Sequence, residues 1–110
     1  MNMMNELEPC RFSIVIPCYN EADFIASTLE SLTAQTFTKN YEIIIVDNNC
    51  TDDTVAIARR HGARVVSAQR PGVCSARQAG TKASHGEIII STDADTIFSP
   101  NWLSNIDHKH

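Results

Sequence analysis

The chain has 110 residues, of which 43% are hydrophobic and 20% charged, values typical of one globular domain. A formal net charge of −4 disfavours a general nucleic-acid binder, since such a protein needs a basic face to displace counterions. The sequence shows neither a secretory leader nor an apolar run near the ~20 residues that span a bilayer. Its four cysteines lack Cys-x-x-Cys spacing. We expect reduced thiols in a cytoplasmic protein, with any membrane association peripheral and through a larger assembly.

Apolar and amphipathic segments alternate along the chain. Continuous β-branched runs predict strands over residues 12–16, 41–46, 64–66 and 87–90, each buried on both faces of a sheet. Helices are predicted over 21–33, from Thr51 as N-cap to Gly62, over 74–83, and from Ser99-Pro100 onwards. This order predicts an α/β fold: a Rossmann-like parallel sheet with helices on both faces. In such sheets ligands bind beyond the carboxyl ends of the strands.

Asp93 and Asp95 follow the fourth predicted strand. In an extended segment residues two apart project to the same side, so both carboxylates should face one spot. Two uncompensated anions repel each other, whereas Mg²⁺ or Mn²⁺ commonly binds one or two carboxylates together with substrate phosphates. We therefore predict a divalent-cation site; a loop of helix-capping aspartates is the structural alternative.

The other loops at that edge carry weaker signals. Pro17 ends the first strand and Tyr19 offers a ring face to a base, although a proline-directed loop explains both nearly as well. Asp47 is expected to accept hydrogen bonds from a base or ribose, because an acid ending a buried strand is costly unless something binds it. Arg77, in the early turns of a helix that follows Gly72, is the candidate for a diphosphate; a solvated surface arginine is the alternative.

These segments together resemble the family 2 glycosyltransferases of GT-A fold. The likeness extends from Arg11 to Leu103. It rests on residues 15–21, 44–47 with 51–54, 76–80 and 92–95, in the family's order and spacing. The chain departs from the family's usual residues at Asn48-Asn49-Cys50, where Asp/Asn-Gly/Ser-Ser is frequent, and at Gln78, where Asn is frequent.

The resemblance implies roles for the matched positions. The nucleotide pocket would be lined by Pro17, Tyr19, Glu21 and Asp47, and Arg77 would lie near the base or diphosphate. Asp93 would approach the ribose or a metal-bound water. Asp95 would ligate Mn²⁺ or Mg²⁺. It also implies a tail over residues 1–10 and a nucleotide-sugar-binding part over 11–107. The part that holds the acceptor and the catalytic base would be missing, so no catalytic residue is predicted in this chain.

The implied function is transfer of a sugar, with inversion, from a nucleoside-diphosphate sugar to an acceptor hydroxyl. A UDP-sugar is favoured, and nucleic acid is not expected as a partner. The alternative from a different class is a catalytically silent nucleotide-binding or assembly module left by truncation, which could self-associate through its incomplete sheet. A nucleotidyltransferase is expected to have a glycine-rich loop after the first strand, and residues 17–21 contain no glycine.

Overall fold

A computed structural model of the chain describes residues 9–109, so residues 1–8 of the predicted tail lie outside the described part. Strands and helices alternate throughout it. In chain order they are β1 (Phe12–Cys18), α1 (Ile25–Thr33), β2 (Tyr41–Asp47), α2 (Thr54–Arg60), β3 (Arg64–Ser67), α3 (Val73–Ala83), β4 (Ile88–Ser91) and α4 (Trp102–His108). Within residues 9–109 no helix is long and apolar enough to cross a membrane.

The four strands form one parallel sheet in the order β3-β2-β1-β4. Successive strands move outward from β1 to β3, and the chain then returns across the sheet to place β4 on the other side of β1. The order therefore reverses between β1 and β4, which makes the gap beyond their carboxyl ends the switch point where open α/β sheets bind ligands.

Helices cover both faces of the sheet. One core packs Phe12, Ile14 and Ile16 of β1 against α1, against Ala58 of α2 and against Leu103 of α4. The second core packs Val15 and the inward side chains of β2 against α3. The predicted α/β fold with a Rossmann-like parallel sheet and helices on both faces is confirmed.

Close packing of α3 on the sheet depends on a glycine. A Cβ built on Gly80 would overlap Cγ1 of Val15 and lie 3.0 Å from Cγ2 of Val46. Any larger residue at this position would push α3 away from β1 and β2. Gly80 thus sets how close the helix that follows the β3–α3 loop lies to the sheet.

The prediction that all four strands are buried on both faces is wrong for β3 and β4. Residues of β1 and β2 are mostly buried, whereas burial alternates or fades in β3 and β4, and Ile89 is 42% exposed. The reason is position, because β3 and β4 are the two edges of the described sheet and each lacks one neighbour. Hydrophobic content alone does not distinguish a central from an edge strand.

Three helices start later than predicted, and one of them is α4, which begins at Trp102 rather than at Pro100. α1 begins at Ile25 rather than residue 21, and α2 begins at Thr54, so Thr51 is not its cap. Instead the Asp52 carboxylate accepts a hydrogen bond from the Thr54 N–H at 3.1 Å. Gly62 has φ 80°, the left-handed conformation expected where α2 ends.

Candidate functional site

A cavity of about 330 Å³ opens at the switch point between β1 and β4. Its walls come from the carboxyl ends of β1 and β2, from the start of α3, and from the segment after β4. The lining residues are Pro17, Cys18, Tyr19, Glu21, Asn48, Val73, Asp93, Ala94 and Asp95. We call this the acid cavity, because three of those residues carry carboxylates.

Asp93 and Asp95 are both exposed and both line the acid cavity, while Ala94 between them is buried. The segment is not an extension of β4, since the strand ends at Ser91 and Ala94 and Asp95 form a turn. The turn is held from inside the protein: Oγ1 of the fully buried Thr28 donates to the Ala94 carbonyl oxygen at 2.8 Å. Burial of the middle residue thus leaves the two acids at the surface.

The electrostatics of the acid cavity favour a cation. Burial and the neighbouring carboxylates of Asp95, Asp52 and Asp93 raise the pKa of Glu21 above its usual value. Within the described chain, none of Glu21, Asp93 and Asp95 forms a salt bridge. Residues 9–109 hold no group of three His, Cys, Asp or Glu side chains able to bind a metal unaided. Any metal here would need ligand oxygens beyond those of the protein, which suits Mg²⁺ or Mn²⁺.

The loop after β1 is braced against the loop after β2. Oδ1 of Asn20 accepts a hydrogen bond from the Thr51 N–H at 2.7 Å, and Asn20 itself has φ 53°. Asp52 accepts from the Ala22 N–H at 3.1 Å, and the Glu21 N–H donates to Thr54 Oγ1 at 2.9 Å. The backbone that carries Tyr19 and Glu21 is therefore supported on one side before any ligand arrives.

Asp47 lies at the carboxyl end of β2, paired with Cys18 of β1 and Ser67 of β3, but it does not line the acid cavity. Its Oδ1 accepts a hydrogen bond from the Cys50 N–H at 2.9 Å and so closes the turn after the strand. This contact satisfies part of a carboxylate that is only half-buried. The predicted contact of Asp47 with a base or ribose stays a prediction.

Arg77 lines a neighbouring cavity of about 530 Å³ on the solvent side of α3. This second cavity also contains Arg70, Gly72 and Cys74, and it shares Val73 with the acid cavity. Neither arginine forms a salt bridge within the described residues. The structure therefore places the predicted diphosphate arginine beside the acid cavity rather than inside it.

Three residues of the site escape sequence reasoning. Asn48 is 7% exposed and Val73 is 50% exposed, yet both line the acid cavity. Thr28 supports the Asp93–Asp95 turn from within α1. Of the three, only Thr28 could have been found from the sequence. It is a polar residue on the same apolar helical face as Ile25 and Leu29, and a buried polar side chain needs a hydrogen-bond partner.

Comparisons with known proteins connect the chain to one enzyme family. The profile of glycosyl transferase family 2 matches residues 13–106. An uncharacterized glycosyltransferase of Mycobacterium tuberculosis is 42% identical over 83 residues, covering 76% of this chain and 36% of the relative. The chain thus spans about a third of the length of the curated relatives it matches.

Two solved structures superpose well on the chain. S. aureus TarS 1-349 in complex with UDP-GlcNAc gives a TM-score of 0.80 at 27% identity, covering 89% of this chain and 30% of TarS. Glucosyl-3-phosphoglycerate synthase of Mycobacterium tuberculosis, in complex with Mn²⁺, UDP and glucosyl-3-phosphoglycerate, gives a TM-score of 0.74 at 32% identity. That likeness covers 83% of this chain and 36% of the synthase.

Proposed function

The chain belongs to glycosyl transferase family 2, and from this premise we propose that it supplies the donor-nucleotide and metal site of a glycosyltransferase. The membership confirms the resemblance drawn from the motifs. The observation that carries the proposal is that three carboxylates line one cavity at the switch point of the sheet and form no salt bridge with any residue of 9–109. Membership of the family favours the transferase interpretation over a catalytically silent module.

The proposed reaction transfers a sugar from a nucleoside diphosphate to an acceptor hydroxyl, with inversion at the sugar carbon. We propose UDP as the nucleotide, which is supported by the likeness to two structures holding UDP or UDP-GlcNAc. Residues 11–107 would bind the donor. The acceptor site and the base that removes the hydroxyl proton would lie in a part of the enzyme that these residues do not contain.

The donor set fits a hard divalent cation. Carboxylate oxygens of Asp95 and Asp93 would bind Mn²⁺ or Mg²⁺ and leave coordination positions for diphosphate oxygens. The ion would supply positive charge to the departing diphosphate, acting as a Lewis acid. An Mn²⁺ ion present with UDP in the glucosyl-3-phosphoglycerate synthase structure supports this assignment.

The remaining residues would orient the nucleotide. Tyr19 is 64% exposed beside the acid cavity and would present its ring to the base. Pro17 and Glu21 would complete that wall. Asp47 would act through the turn that it closes, and Arg77 would meet the nucleotide or its diphosphate from the second cavity, across Val73.

Isothermal titration of UDP into the whole chain, with and without Mn²⁺, tests the proposal. We expect binding that requires the metal, because the acid cavity carries negative charge that would repel a diphosphate alone. Absent binding, or equal binding without metal, by the folded chain would overturn it. Detection of sugar transfer by the chain itself would eliminate the silent-module alternative.

A further inference from the structure

Asn48 connects the end of β2 to the loop between β3 and α3. Its Nδ2 donates to the carbonyl oxygens of Ala68 at 2.8 Å and Arg70 at 2.9 Å, and its Oδ1 accepts from the Gly72 N–H at 3.1 Å. We propose that Asn48 is a positioning residue, whose buried amide holds residues 68–72 in place as a wall of the nucleotide site. The proposal rests on the proposed function and deepens it.

An asparagine suits this position because of its hydrogen-bonding groups. The side-chain amide offers two N–H donors and a carbonyl acceptor, and the backbone of residues 68–72 engages all of them. An ionised aspartate would point acceptors at two carbonyl oxygens. An apolar residue would leave two carbonyls and one N–H without these partners, next to a side-chain position that is only 7% exposed at Asn48.

The loop held by Asn48 has few other attachments. The Ala68 N–H donates to the Asp47 carbonyl oxygen at 3.0 Å, and the exposed Asn49 side chain donates to the Gln69 carbonyl oxygen at 3.0 Å. Gly72 has φ 113°, a conformation that L side chains rarely adopt. Without Asn48, the bend at Gly72 would lose the hydrogen bond that fixes its N–H.

The position of this loop matters for both cavities. Val73, which directly follows Gly72, begins α3 and lines the acid cavity and the second cavity alike. By holding residues 68–72, Asn48 thereby determines the position of Val73 relative to Asp93 and Asp95. A wall ordered in advance of binding lowers the entropy cost of holding a ligand, so loosening it should weaken nucleotide affinity.

Amide hydrogen exchange without nucleotide tests the structural half of the proposal. In Asn48→Leu, which preserves the neutral charge and the number of side-chain heavy atoms, we expect the Ala68 and Ala76 amides to exchange about tenfold faster or more, although their own acceptors remain. The Thr92 amide, bonded to the Val15 carbonyl oxygen at 3.0 Å, should not change. If Asn48→Leu does not fold, Asn48→Ser serves in its place.

Asn49→Gly is the matched control. It removes one exposed hydrogen bond to the same loop, and glycine tolerates the φ of 66° found at Asn49. Exchange at Ala68 and Ala76 should stay at the wild-type rate in this variant. Unchanged exchange in the Asn48 variant, or equal acceleration in the Asn49 control, would overturn the assigned role.

A double-mutant cycle on UDP affinity in the presence of Mn²⁺ tests the functional half. Gly72→Ala strains the backbone of the same loop, because L side chains rarely adopt its φ of 113°, although the added Cβ would meet no atom of the described residues within 4 Å. Each single variant should weaken UDP binding about tenfold. The double variant should be no weaker than the poorer single variant, since both act through one loop. Fully additive losses would mean that Asn48 acts by direct ligand contact, and would overturn the proposal.

The two tests separate the possible failures. If the wild-type chain does not bind UDP, the proposed function is wrong, and so is a role of Asn48 in nucleotide affinity. The exchange experiment still decides whether Asn48 holds residues 68–72. UDP binding by wild type with unchanged affinity in both folded single variants refutes the positioning role alone.

Discussion

Two groups of acidic side chains, one at each end of the sheet, differ in the partners that they have. At the carboxyl end, Glu21, Asp93 and Asp95 have no salt bridge within the described residues, and the pKa of Glu21 is raised by burial and then by its acidic neighbours. At the amino end, Glu42 and Asp107 each meet cationic side chains. Both acids there have a pKa below the usual value.

The amino end forms a connected polar network. The fully buried Ser13 donates to Glu42 at 2.5 Å and accepts from the Gly86 N–H at 2.7 Å. The His85 N–H also donates to Glu42, at 2.6 Å, and Arg64 lies 3.5 Å from the same carboxylate. Acids that are fully partnered stabilise a fold, whereas acids held together without cations are available to a ligand. The difference predicts separate effects of mutation on binding and on stability.

The largest effect is expected at the carboxyl end. Asp95→Asn should lower UDP affinity in Mn²⁺ by about a hundredfold or more, because even residues behind metal ligands typically cost about 10–100-fold in metal affinity. The free energy of unfolding should hold or rise, since a like-charge repulsion is removed. Calorimetry and urea denaturation measure the two effects. Asp53→Asn, which removes an equal charge from an exposed residue, is the control; comparable loss of affinity there contradicts a specific role for Asp95.

Gly86→Ala should produce the opposite pattern at the amino end. A Cβ on Gly86 would lie 2.5 Å from the Ser13 backbone nitrogen and 2.6 Å from the Phe12 carbonyl carbon, so backbone must move. We expect a loss of about 1–3 kcal/mol in the free energy of unfolding, typical of overpacking, with UDP affinity unchanged in the folded protein. Urea denaturation checks this. A stable variant with weakened UDP binding would break the distinction between the two ends.

Glu42→Gln should destabilise the chain in a pH-dependent way. Although burial acts to raise it, hydrogen bonds from Ser13 and His85 hold the pKa of Glu42 below its usual 4.5. Its stabilising contribution is therefore present above pH 4.5 and is lost as the pH falls through the lower folded-state pKa. We expect a deficit of about 1–3 kcal/mol at pH 7 that shrinks towards zero in acid.

Urea titrations of wild type and Glu42→Gln at several pH values measure that deficit. Glu87→Gln is the control, because its side chain is 54% exposed and lies 3.7 Å from Arg11. A deficit in Glu42→Gln that stays constant from neutral to acidic pH would show that the carboxylate charge contributes nothing to the network.

The smallest effect is expected for Asp107→Asn. Side-chain hydrogen bonds from Lys39 and then Arg11 lower the pKa of Asp107, and Arg11 Nε lies 2.7 Å from its Oδ1. The Arg11–Asp107 pair lies near the surface, so the variant should lower Tm slightly. The difference in Tm from wild type should diminish in high salt. Thermal melts at low and high ionic strength measure it. A deficit that does not depend on salt would point to lost packing instead of lost charge.

Local features of the sequence determined the fold class. Apolar β-branched runs and helical periodicity are near-neighbour properties, so they place the strands, the helices and the acidic loop after β4 without reference to the rest of the chain. They predict the start of α1 less well, because the residues before it are held by hydrogen bonds to a second loop: Asn20 bonds to Thr51, and Ala22 bonds to Asp52. They also cannot separate edge from central strands, since the run Ile88–Ile90 of an edge strand is as apolar as the run Ile43–Ile45 of a central strand.

For the candidate site, too, the sequence determined one part and the tertiary structure the other. The sequence by itself determined that Asp93, Asp95, Tyr19 and Glu21 follow strand ends, and parallel strands bring their carboxyl ends to one edge. Only the tertiary structure decided that Asn48 faces the β3–α3 loop, that Arg77 lies in an adjoining cavity, and that Thr28 supports the Asp93–Asp95 turn. For Asn48 and Thr28 the physical reason is distance along the chain: their contacts join residues 20 and 66 positions apart, and packing of the sheet and helices brings them together.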